Sequence, residues 1–451
     1  MYGDGDTIVA AATPIGESAI AIVRLSGPSC ASISDICLTT GCPEPRKAVY
    51  GAFKRADGQI VDRCVFIFYP EGGSYTGEPM LEIFAHGSPL IVRMLIDDLL
   101  QRGCRAAEAG EFTRRAFLNG KMDLTQAEAV QDIISARSEA ALAAARRQLD
   151  GSVGKAVNHL LERLLGVIAH LEAYIDFPEE DLPPEDTDGP LSQLVTLQKD
   201  AQSLIATSPY SSMLREGART VIAGAPNAGK SSLLNALLGE DRAIVSAVPG
   251  TTRDYIEEPL IVGTHLLRVV DTAGLRSGGD DIESQGIGRS LEQIRRADLV
   301  VLVVDGTAPQ SALPCSDALP EARKIVVAEN KCDLPGCHSV ADILPGAAHV
   351  RISAKTGEGM DALRETIVKA LDSCYVRPGQ DDVLVSARHA DALANMSHSL
   401  ASAIEKIRMR QPPELAASDL RNALASLEEI VGKVDNERVL DIIFSKFCIG
   451  K

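Results

Sequence analysis

The sequence lacks the features of membrane-spanning proteins, of secreted proteins and of small proteins stabilised by structural zinc or disulfides. No stretch approaches the about 18 consecutive apolar residues that a membrane-spanning helix needs. Residues 1–6 are polar and acidic, without the basic and apolar pattern of a signal peptide. The ten cysteines include no C-x-x-C pair, which argues against both a zinc site and a disulfide framework. These absences predict a cytoplasmic protein with reduced thiols and no membrane association.

Basic charge is also scarce in this chain. The 45 Lys and Arg residues stand against 62 Asp and Glu residues, so the formal net charge is -17. Such a charge argues against indiscriminate binding of polyanions, although a local basic face can still bind RNA. The length of 451 residues allows two to four domains.

The most informative motif is Gly-Ala-Pro-Asn-Ala-Gly-Lys-Ser at residues 224–231, which fits the phosphate-binding loop G-x-x-x-x-G-K-[ST]. A strand is predicted before it and a helix after it. The glycines allow backbone N–H groups to face the phosphates, and the N-terminus of the helix adds its positive dipole end. Lys230 is predicted to contact the outer phosphates, and the Ser231 hydroxyl to bind magnesium.

Three further motifs, each after a predicted strand, identify the nucleotide. The sequence Asp-Thr-Ala-Gly at 271–274 offers a carboxylate for the magnesium shell and a glycine N–H for the terminal phosphate. In Asn-Lys-Cys-Asp at 330–333, the carboxylate of Asp333 can accept two hydrogen bonds from guanine, and adenine has no matching donor pair. Ser-Ala-Lys at 353–355 is predicted to support the base. The four motifs together predict a GTPase domain.

The residue that positions the attacking water is not the usual one. Ras-like switches have a glutamine directly after the DxxG glycine. Leu275 occupies that position here and cannot orient water. Glu283, in the glycine-rich acidic loop that follows, offers a carboxylate within reach, although a solvated glutamate at a helix start is the simpler interpretation of that residue alone.

The remaining chain separates into an α+β segment and helical segments. Residues 7–118 mix short β-like runs with helical ones, an α+β pattern. The pair Thr125 and Glu128 fits a capping box that opens one long helix through about Leu149. Helical spacing continues to Ile175 and returns, on both sides of the GTPase segment, over 190–206, 384–409 and 418–446. The flanking helices are therefore predicted to pack together around an inserted GTPase domain.

Five stretches carry a family resemblance: residues 75–87, 110–124, 249–254, 271–276 and the C-terminal Phe-Cys-Ile-Gly-Lys at 447–451. Together they resemble the MnmE (TrmE) family of tRNA modification GTPases over essentially the whole chain. The C-[IL]-G-K ending and the G-E-F-x-x-R-A-F-L-N-x-K block are the most specific. GTPases of ribosome assembly lack both.

The resemblance implies a multidomain α+β fold. Residues 1–118 would form an N-terminal α+β domain that binds folate and dimerises. Residues 119–215 and 376–451 would form a discontinuous helical domain, and residues 216–375 an inserted α/β P-loop GTPase domain of the Ras-like type.

The resemblance also implies a function. Family members hydrolyse GTP in a potassium-dependent manner, with pairing of two GTPase domains. With an FAD-dependent partner protein they add an aminomethyl or carboxymethylaminomethyl group to carbon five of the wobble uridine of tRNA. The implied cofactors are magnesium, potassium and a tetrahydrofolate derivative, in its 5-formyl or methylene form. The implied assembly is a homodimer that forms a heterotetramer with the partner.

The family motifs assign a role to individual residues. Glu283 would position the water and Cys448 would be a second catalytic residue. Ser231 and Thr252 would bind magnesium. The implied potassium ligands are Asn227, Ser246, Val248 and Thr251, and the implied folate ligands are Arg24, Glu82, Lys121 and Lys451. The implied GTP-binding residues are Asn227, Ala228, Gly229, Lys230, Ser231, Ser232, Ser246, Ala247, Val248, Pro249, Gly250, Thr251, Thr252, Asp271, Thr272, Ala273, Gly274, Asn330, Lys331, Asp333, Ser353, Ala354 and Lys355.

Two other functions compete with this interpretation. A GTPase switch of ribosome assembly would require a KH-like or basic RNA-binding module after the GTPase domain, whereas this chain continues with helices and ends in Cys-Ile-Gly-Lys. A folate-dependent one-carbon transferase with a regulatory GTPase is compatible with the N-terminal segment.

Overall fold

The computed structural model describes most of the chain and divides it into two compact units. The described residues are 5–176, 188–240, 257–271, 292–308, 324–338, 344, 346–374, 379, 382–433, 437–445 and 447–450. The first unit contains Met1–Gln131 with Leu427–Lys451, and the second contains Asp132–Ser426.

The first unit is built on a six-stranded sheet with the order β3-β4-β5-β2-β1-β6. All neighbouring strands are antiparallel except β1 and β6, which are parallel. Side chains of α1 and α2 pack with inward-facing strand residues in one core. The strands are β1 Ile8–Ala11, β2 Ser18–Ser26, β3 Ala48–Lys54, β4 Ile60–Tyr69, β5 Met80–Gly87 and β6 Arg105–Ala106, and the two helices are α1 Cys30–Cys37 and α2 Pro89–Gln101.

Three helices and the chain end complete this unit. They are α3 Glu111–Leu118, α13 Glu437–Phe444 and the part of α4 (Leu124–Ser135) up to Gln131. Leu124 and Ala127 of α4 pack with Leu440, Phe444 and Phe447 in a small apolar core. The C-terminal segment is thereby fixed against the region that carries the G-E-F-x-x-R-A-F block.

The second unit contains a six-stranded sheet with the order β12-β11-β10-β7-β9-β8, parallel except for β8. Its central strands β10 and β11 are nearly continuous apolar runs, as expected where helices cover both faces. Separate apolar cores lie on the two faces of the sheet. The elements are β7 Ala218–Gly224, α9 Lys230–Glu240, β8 Glu257–Val262, β9 His265–Asp271, β10 Leu299–Asp305, β11 Ile325–Asn330, β12 Ala348–Arg351 and α10 Met360–Cys374.

Helices from both sides of this sheet segment pack against each other in the second unit. Gln198 of α7 donates a hydrogen bond to the Ser397 carbonyl of α11 at 3.2 Å. Arg421 of α12 pairs with Glu172 of α6 at 2.6 Å. The elements are α5 Glu139–Leu149, α6 Ser152–Asp176, α7 Asp188–Ile205, α8 Ser208–Glu216, α11 Ala387–Arg408 and α12 Pro413–Val431. The predicted multidomain α+β fold with a discontinuous helical part is confirmed, and the domain bounds given above stay a prediction.

The helix predicted from Thr125 to Leu149 is wrong, because the chain breaks into α4 and α5 there. Ser138 is the N-cap of α5, and its side chain accepts a hydrogen bond from the Ala141 N–H at 3.1 Å. This cap stabilises a new helix start within an alanine-rich stretch that has no Pro or Gly.

The predicted capping box is displaced as well. Asp123 accepts from the N–H of Gln126 at 2.9 Å, and the Gln126 side chain accepts from the Asp123 N–H at 3.0 Å. The reciprocal pair therefore begins at Asp123 rather than at Thr125. The predicted helix over 418–446 is also two helices, α12 and α13, with Gly432 in the left-handed region (φ 80°) after the first.

Among the described residues, no helix combines the length and the hydropathy that crossing a bilayer requires.

Candidate functional site

The phosphate-loop motif lies between β7 and α9, as predicted. Two of its glycines have left-handed backbone and close neighbours. A Cβ atom added to Gly224 (φ 150°) would lie 2.3 Å from the Val303 carbonyl oxygen. A Cβ atom added to Gly229 (φ 101°) would lie 2.1 Å from Nδ2 of Asn330. Only glycine fits at these positions, so the motif glycines allow the loop to pack closely on the neighbouring strand ends.

The polar residues of this loop lie at its junction with α9. Lys230 is the first residue of α9, and its ammonium donates to the Gly224 and Ala225 carbonyl oxygens at 2.9 Å each. Ser231 and Ser232 are exposed in the first turn of the helix. The N-terminus of α9 therefore begins directly after the loop, and a helix N-terminus with exposed serines in its first turn favours anionic oxygens.

Asn330 joins the phosphate loop to the predicted base-binding loops. It is the buried last residue of β11. Its Nδ2 donates to the Ala228 carbonyl oxygen at 2.8 Å, and its Oδ1 accepts from the Ala354 N–H at 3.0 Å. Ser353 is fully buried and its hydroxyl accepts from the Thr356 N–H at 3.1 Å. The motifs at 224–231, 330–333 and 353–355 thus come together around one side chain.

Lys331 is held by an aspartate that sequence reasoning missed. Its backbone is left-handed (φ 67°), and its ammonium pairs with Asp305 at 2.5 Å. Burial raises the pKa of Asp305, but hydrogen bonds from Lys331 and Thr307 outweigh it and leave that pKa lowered. Asp305 ends the apolar strand β10, and its place at a strand end is the signal that could have identified it.

The other predicted nucleotide residues divide into two groups. Asn227 (φ 61°), Lys355 and Asp333 are exposed at the same edge of the sheet, and Asp271 ends β9 beside Ile222 of β7. The remainder lie outside the described residues. They are Ser246, Ala247, Val248, Pro249, Gly250, Thr251, Thr252, Thr272, Ala273, Gly274 and Glu283.

In the first unit, Arg24 and Glu82 are cross-strand partners on β2 and β5. The guanidinium donates to Glu82 Oε1 from Nε at 2.9 Å and from Nη2 at 2.7 Å. Its carbon lies 5.8 Å from the ring centre of Tyr75 and 5.7 Å from that of Phe112. Tyr69 donates to Glu82 Oε2 at 3.3 Å. The structure therefore brings two predicted folate residues together in an aromatic, half-buried setting.

The C-terminal tail reaches the same place. The Gly450 carbonyl oxygen accepts from Arg24 Nη1 at 3.4 Å, and a Cβ atom on Gly450 would lie 2.2 Å from the Ala11 oxygen. Ile449 forms an antiparallel bridge with Ala109. Cys448 is exposed at the start of this contact.

The two predicted folate lysines have different outcomes. Lys121 donates to the Gly72 carbonyl oxygen at 3.0 Å, on the loop that carries Tyr75. Lys451 lies outside the described residues.

A buried ionic network underlies this site, and sequence reasoning missed it as well. Glu111 of the G-E-F-x-x-R-A-F block has a side chain only 1% exposed and pairs with Arg105 at 2.5 Å and Arg115 at 3.1 Å. Arg115 also pairs with Asp6 and, at 3.1 Å, with Glu78. The network joins the chain start, α3 and the loop before β5, so much of this motif has a structural role.

We expect Glu111→Gln to destabilise the first unit by about 3 kcal/mol, because a neutral amide replaces the buried carboxylate that pairs with both Arg105 and Arg115. Burial alone would raise the pKa of Glu111. The hydrogen bonds from Arg105, the Glu108 N–H and Arg115 outweigh that effect and leave the pKa below its ordinary value. The pair therefore contributes stability above about pH 4, the ordinary glutamate pKa, and loses it as the pH falls through the lower folded value.

Chemical denaturation of the two proteins at several pH values checks this prediction. The unfolding free energy of the unaltered protein should fall more steeply on acidification than that of the variant. Equal slopes below about pH 4 would contradict the assigned role of Glu111.

A doubly wound parallel sheet with a phosphate loop after β7, tied through Asn330 to the N-K-C-D and S-A-K elements, defines a P-loop GTPase. The family model described as MnmE helical domain matches residues 124–448, and the one described as GTP-binding protein TrmE N-terminus matches residues 7–121.

Full-length relatives agree with these matches. The tRNA modification GTPase MnmE of Opitutus terrae is 48% identical over 449 residues, 99% of each chain, and that of Akkermansia muciniphila is 45% identical over the same shares. Among solved structures, the G domain of the T. maritima FeoB iron transporter is 30% identical; the match covers 34% of this chain and 98% of that one, with a TM-score of 0.27. The chain belongs to the MnmE (TrmE) family.

Proposed function

We propose that this GTPase is potassium-dependent and acts with an FAD-dependent partner to modify carbon five of the wobble uridine of tRNA, by aminomethyl or carboxymethylaminomethyl addition. The observation that carries the proposal is the similarity over 99% of the chain to proteins named tRNA modification GTPases. A GTPase that shared only the nucleotide motifs would match over the second unit alone.

Hydrolysis would use the loop ends gathered at the sheet edge. Lys230 and the α9 N-terminus would bind the phosphates, Ser231 and Thr252 would bind magnesium, and Asp333 would accept the guanine hydrogen bonds. Glu283 would position the water, since Leu275 cannot. Potassium at Asn227, Ser246, Val248 and Thr251 would supply the positive charge that an arginine finger supplies in other GTPases.

We expect fast GTP turnover in potassium chloride and a sharp drop in sodium chloride. The exposed Asn227 of the phosphate loop and the 246–251 segment would fit the larger and less strongly hydrated ion. Phosphate release should be measured in the two salts at matched ionic strength, with choline chloride as the control for salt effects. Equal rates in potassium and sodium would contradict the potassium site.

A tetrahydrofolate derivative fits the chemistry around Arg24. Tyr69 holds Glu82 Oε2 through a long hydrogen bond of 3.3 Å, which a pterin amino group can replace. Lys121, Lys451 and the edge of Arg24 would bind the carboxylates of the glutamate tail. When bound, the folate would supply a one-carbon unit; the protein's residues would orient it and limit access of water.

We expect Cys448→Ser to leave GTP hydrolysis close to normal and to abolish tRNA modification. The nucleotide residues lie within 224–355, whereas Cys448 belongs to the tail that contacts Arg24 through Gly450. Mass spectrometry of tRNA nucleosides from a strain carrying only the variant gives the modification level, and phosphate release gives the hydrolysis rate. Normal levels of modified wobble uridine would show that the thiol is dispensable.

We further propose a homodimer and a heterotetramer with the partner, in the cytoplasm. Residues 1–118 would form the folate-binding and dimerisation domain, 119–215 and 376–451 the helical domain, and 216–375 the GTPase domain.

The decisive test of the whole function is the tRNA of a strain that lacks this gene. Loss of wobble-uridine modification with normal ribosomal subunits supports the proposal. Normal modification with defective subunits would instead indicate a ribosome-assembly switch. Normal modification with a deficiency in folate-linked one-carbon transfer would indicate a one-carbon transferase.

A further inference from the structure

The segment after Asn330, residues 331–338, is fastened to the turn that follows β10. The Gly306 N–H donates to the Asn330 carbonyl oxygen at 3.0 Å, and the Gly306 carbonyl oxygen accepts from the His338 N–H at 2.9 Å. Lys331 pairs with Asp305 next to it. A single glycine therefore holds both ends of the segment that contains Asp333.

Gly306 also lies unusually close to the side chain of Cys337, and its backbone conformation does not require a glycine. A Cβ atom added to it would lie 2.4 Å from Cys337 Sγ, 3.2 Å from the Asn330 oxygen and 3.7 Å from Cys337 Cβ. Its φ is not in the left-handed region, so an alanine could adopt this backbone. The missing side chain therefore makes space for the thiol, which is only partly exposed.

We propose that Gly306 and Cys337 are positioning residues for guanine recognition. The thiol occupies the space beside Gly306 and fixes the path of the chain between Lys331 and Cys337. The start of this short loop is held independently, because the Cys332 N–H donates to the Ile352 carbonyl oxygen at 3.1 Å. With both ends fixed, the exposed Asp333 has little freedom, and its carboxylate is presented in a preorganised position. This inference rests on the proposed role of Asp333.

Gly306→Ala should weaken GTP binding about tenfold, a cost of roughly 1.4 kcal/mol, because the new methyl group displaces Cys337 and the loop with it. The KM for GTP should rise while kcat stays near its original value, since the loop contacts the base rather than the γ-phosphate. The preference for GTP over ITP should also fall. ITP lacks the exocyclic amino group that Asp333 would bind, so the GTP/ITP ratio reports on the carboxylate position.

The double variant Gly306→Ala/Cys337→Ala provides the rescue. Removing the thiol leaves the Asn330 oxygen at 3.2 Å as the nearest neighbour of the new methyl group. Affinity and the GTP/ITP ratio should return to within about threefold of the original, or about 0.7 kcal/mol.

The matched control is Gly166→Ala, where an added Cβ has nothing within 4 Å. The melting temperature of each protein separates loop placement from loss of fold.

Three results would overturn the proposed role of Gly306 and Cys337. Unchanged GTP affinity in Gly306→Ala, or a double variant as weak as the single one, overturns the proposal, as does a parallel loss for GTP and ITP. If Gly306→Ala does not fold, Cys337→Leu enlarges the contact from the other side and must lower the GTP/ITP ratio. If the unaltered protein binds GTP and ITP equally, the role of Asp333 fails instead, and the rescue of GTP affinity still tests the contact.

Discussion

Replacing Glu283 by alanine is expected to lower the rate of GTP hydrolysis ~100-fold or more while leaving nucleotide affinity nearly intact. The size is that of a positioned general base or water-orienting group. Leu275 cannot take over this role, because its side chain has no hydrogen-bonding group. The affinity should survive because the carboxylate would act only on the attacking water, and a loss confined to kcat is the mark of an interaction made in the transition state.

Single-turnover hydrolysis and equilibrium binding of a fluorescent guanine nucleotide measure the two quantities separately. Glu292→Ala serves as the matched control, because Glu292 is an exposed glutamate of the same region that pairs with Arg296 at 2.7 Å. The control should hydrolyse GTP at the original rate. A parallel fall of binding and turnover in Glu283→Ala would show that the residue is structural.

The opposite pattern is expected for Gly229→Ala, which should weaken GTP and GDP binding ~100-fold or more, or about 2.7 kcal/mol. The added Cβ would lie 2.1 Å from Asn330 Nδ2, at a backbone φ of 101° that alanine avoids. Asn330 cannot move away freely, since it bonds Ala228 on one side and Ala354 on the other. The clash therefore disturbs the phosphate loop and the base-binding loops together.

Gly239→Ala is the matched control for this variant. Gly239 lies in α9, the helix that begins directly after Gly229, and a Cβ atom there has nothing within 4 Å. Isothermal titration with GDP, on proteins shown to be folded by circular dichroism, gives the affinities. Retention of the original affinity in Gly229→Ala would mean that the Asn330 contact is not needed for binding.

The sequence predicted the nucleotide class from local spacing. The loop at 224–231 and the tetrapeptide at 330–333 each follow a strand, and parallel strands bring their carboxyl ends to one edge of a sheet. Sequence reasoning failed where local signals compete. The alanine-rich stretch after Thr125 has helical spacing and no Pro or Gly, and this helical signal outweighed Ser138, a favoured N-cap residue type that caps the start of α5.

The sequence by itself determined that the chain binds GTP and, through the motifs at 75–87, 110–124 and 447–451, which family it resembles. Only the tertiary structure decided which side chains share a contact. The Glu111–Arg105 pair, the Asp305–Lys331 pair and the Gly306–Cys337 contact each depend on strand register and on the space left beside a neighbour. The spacing of a motif shows which residue types are available for binding or catalysis. Which buried charges pair, and which side chains lie close to a glycine, depends on packing between segments that are separate in sequence.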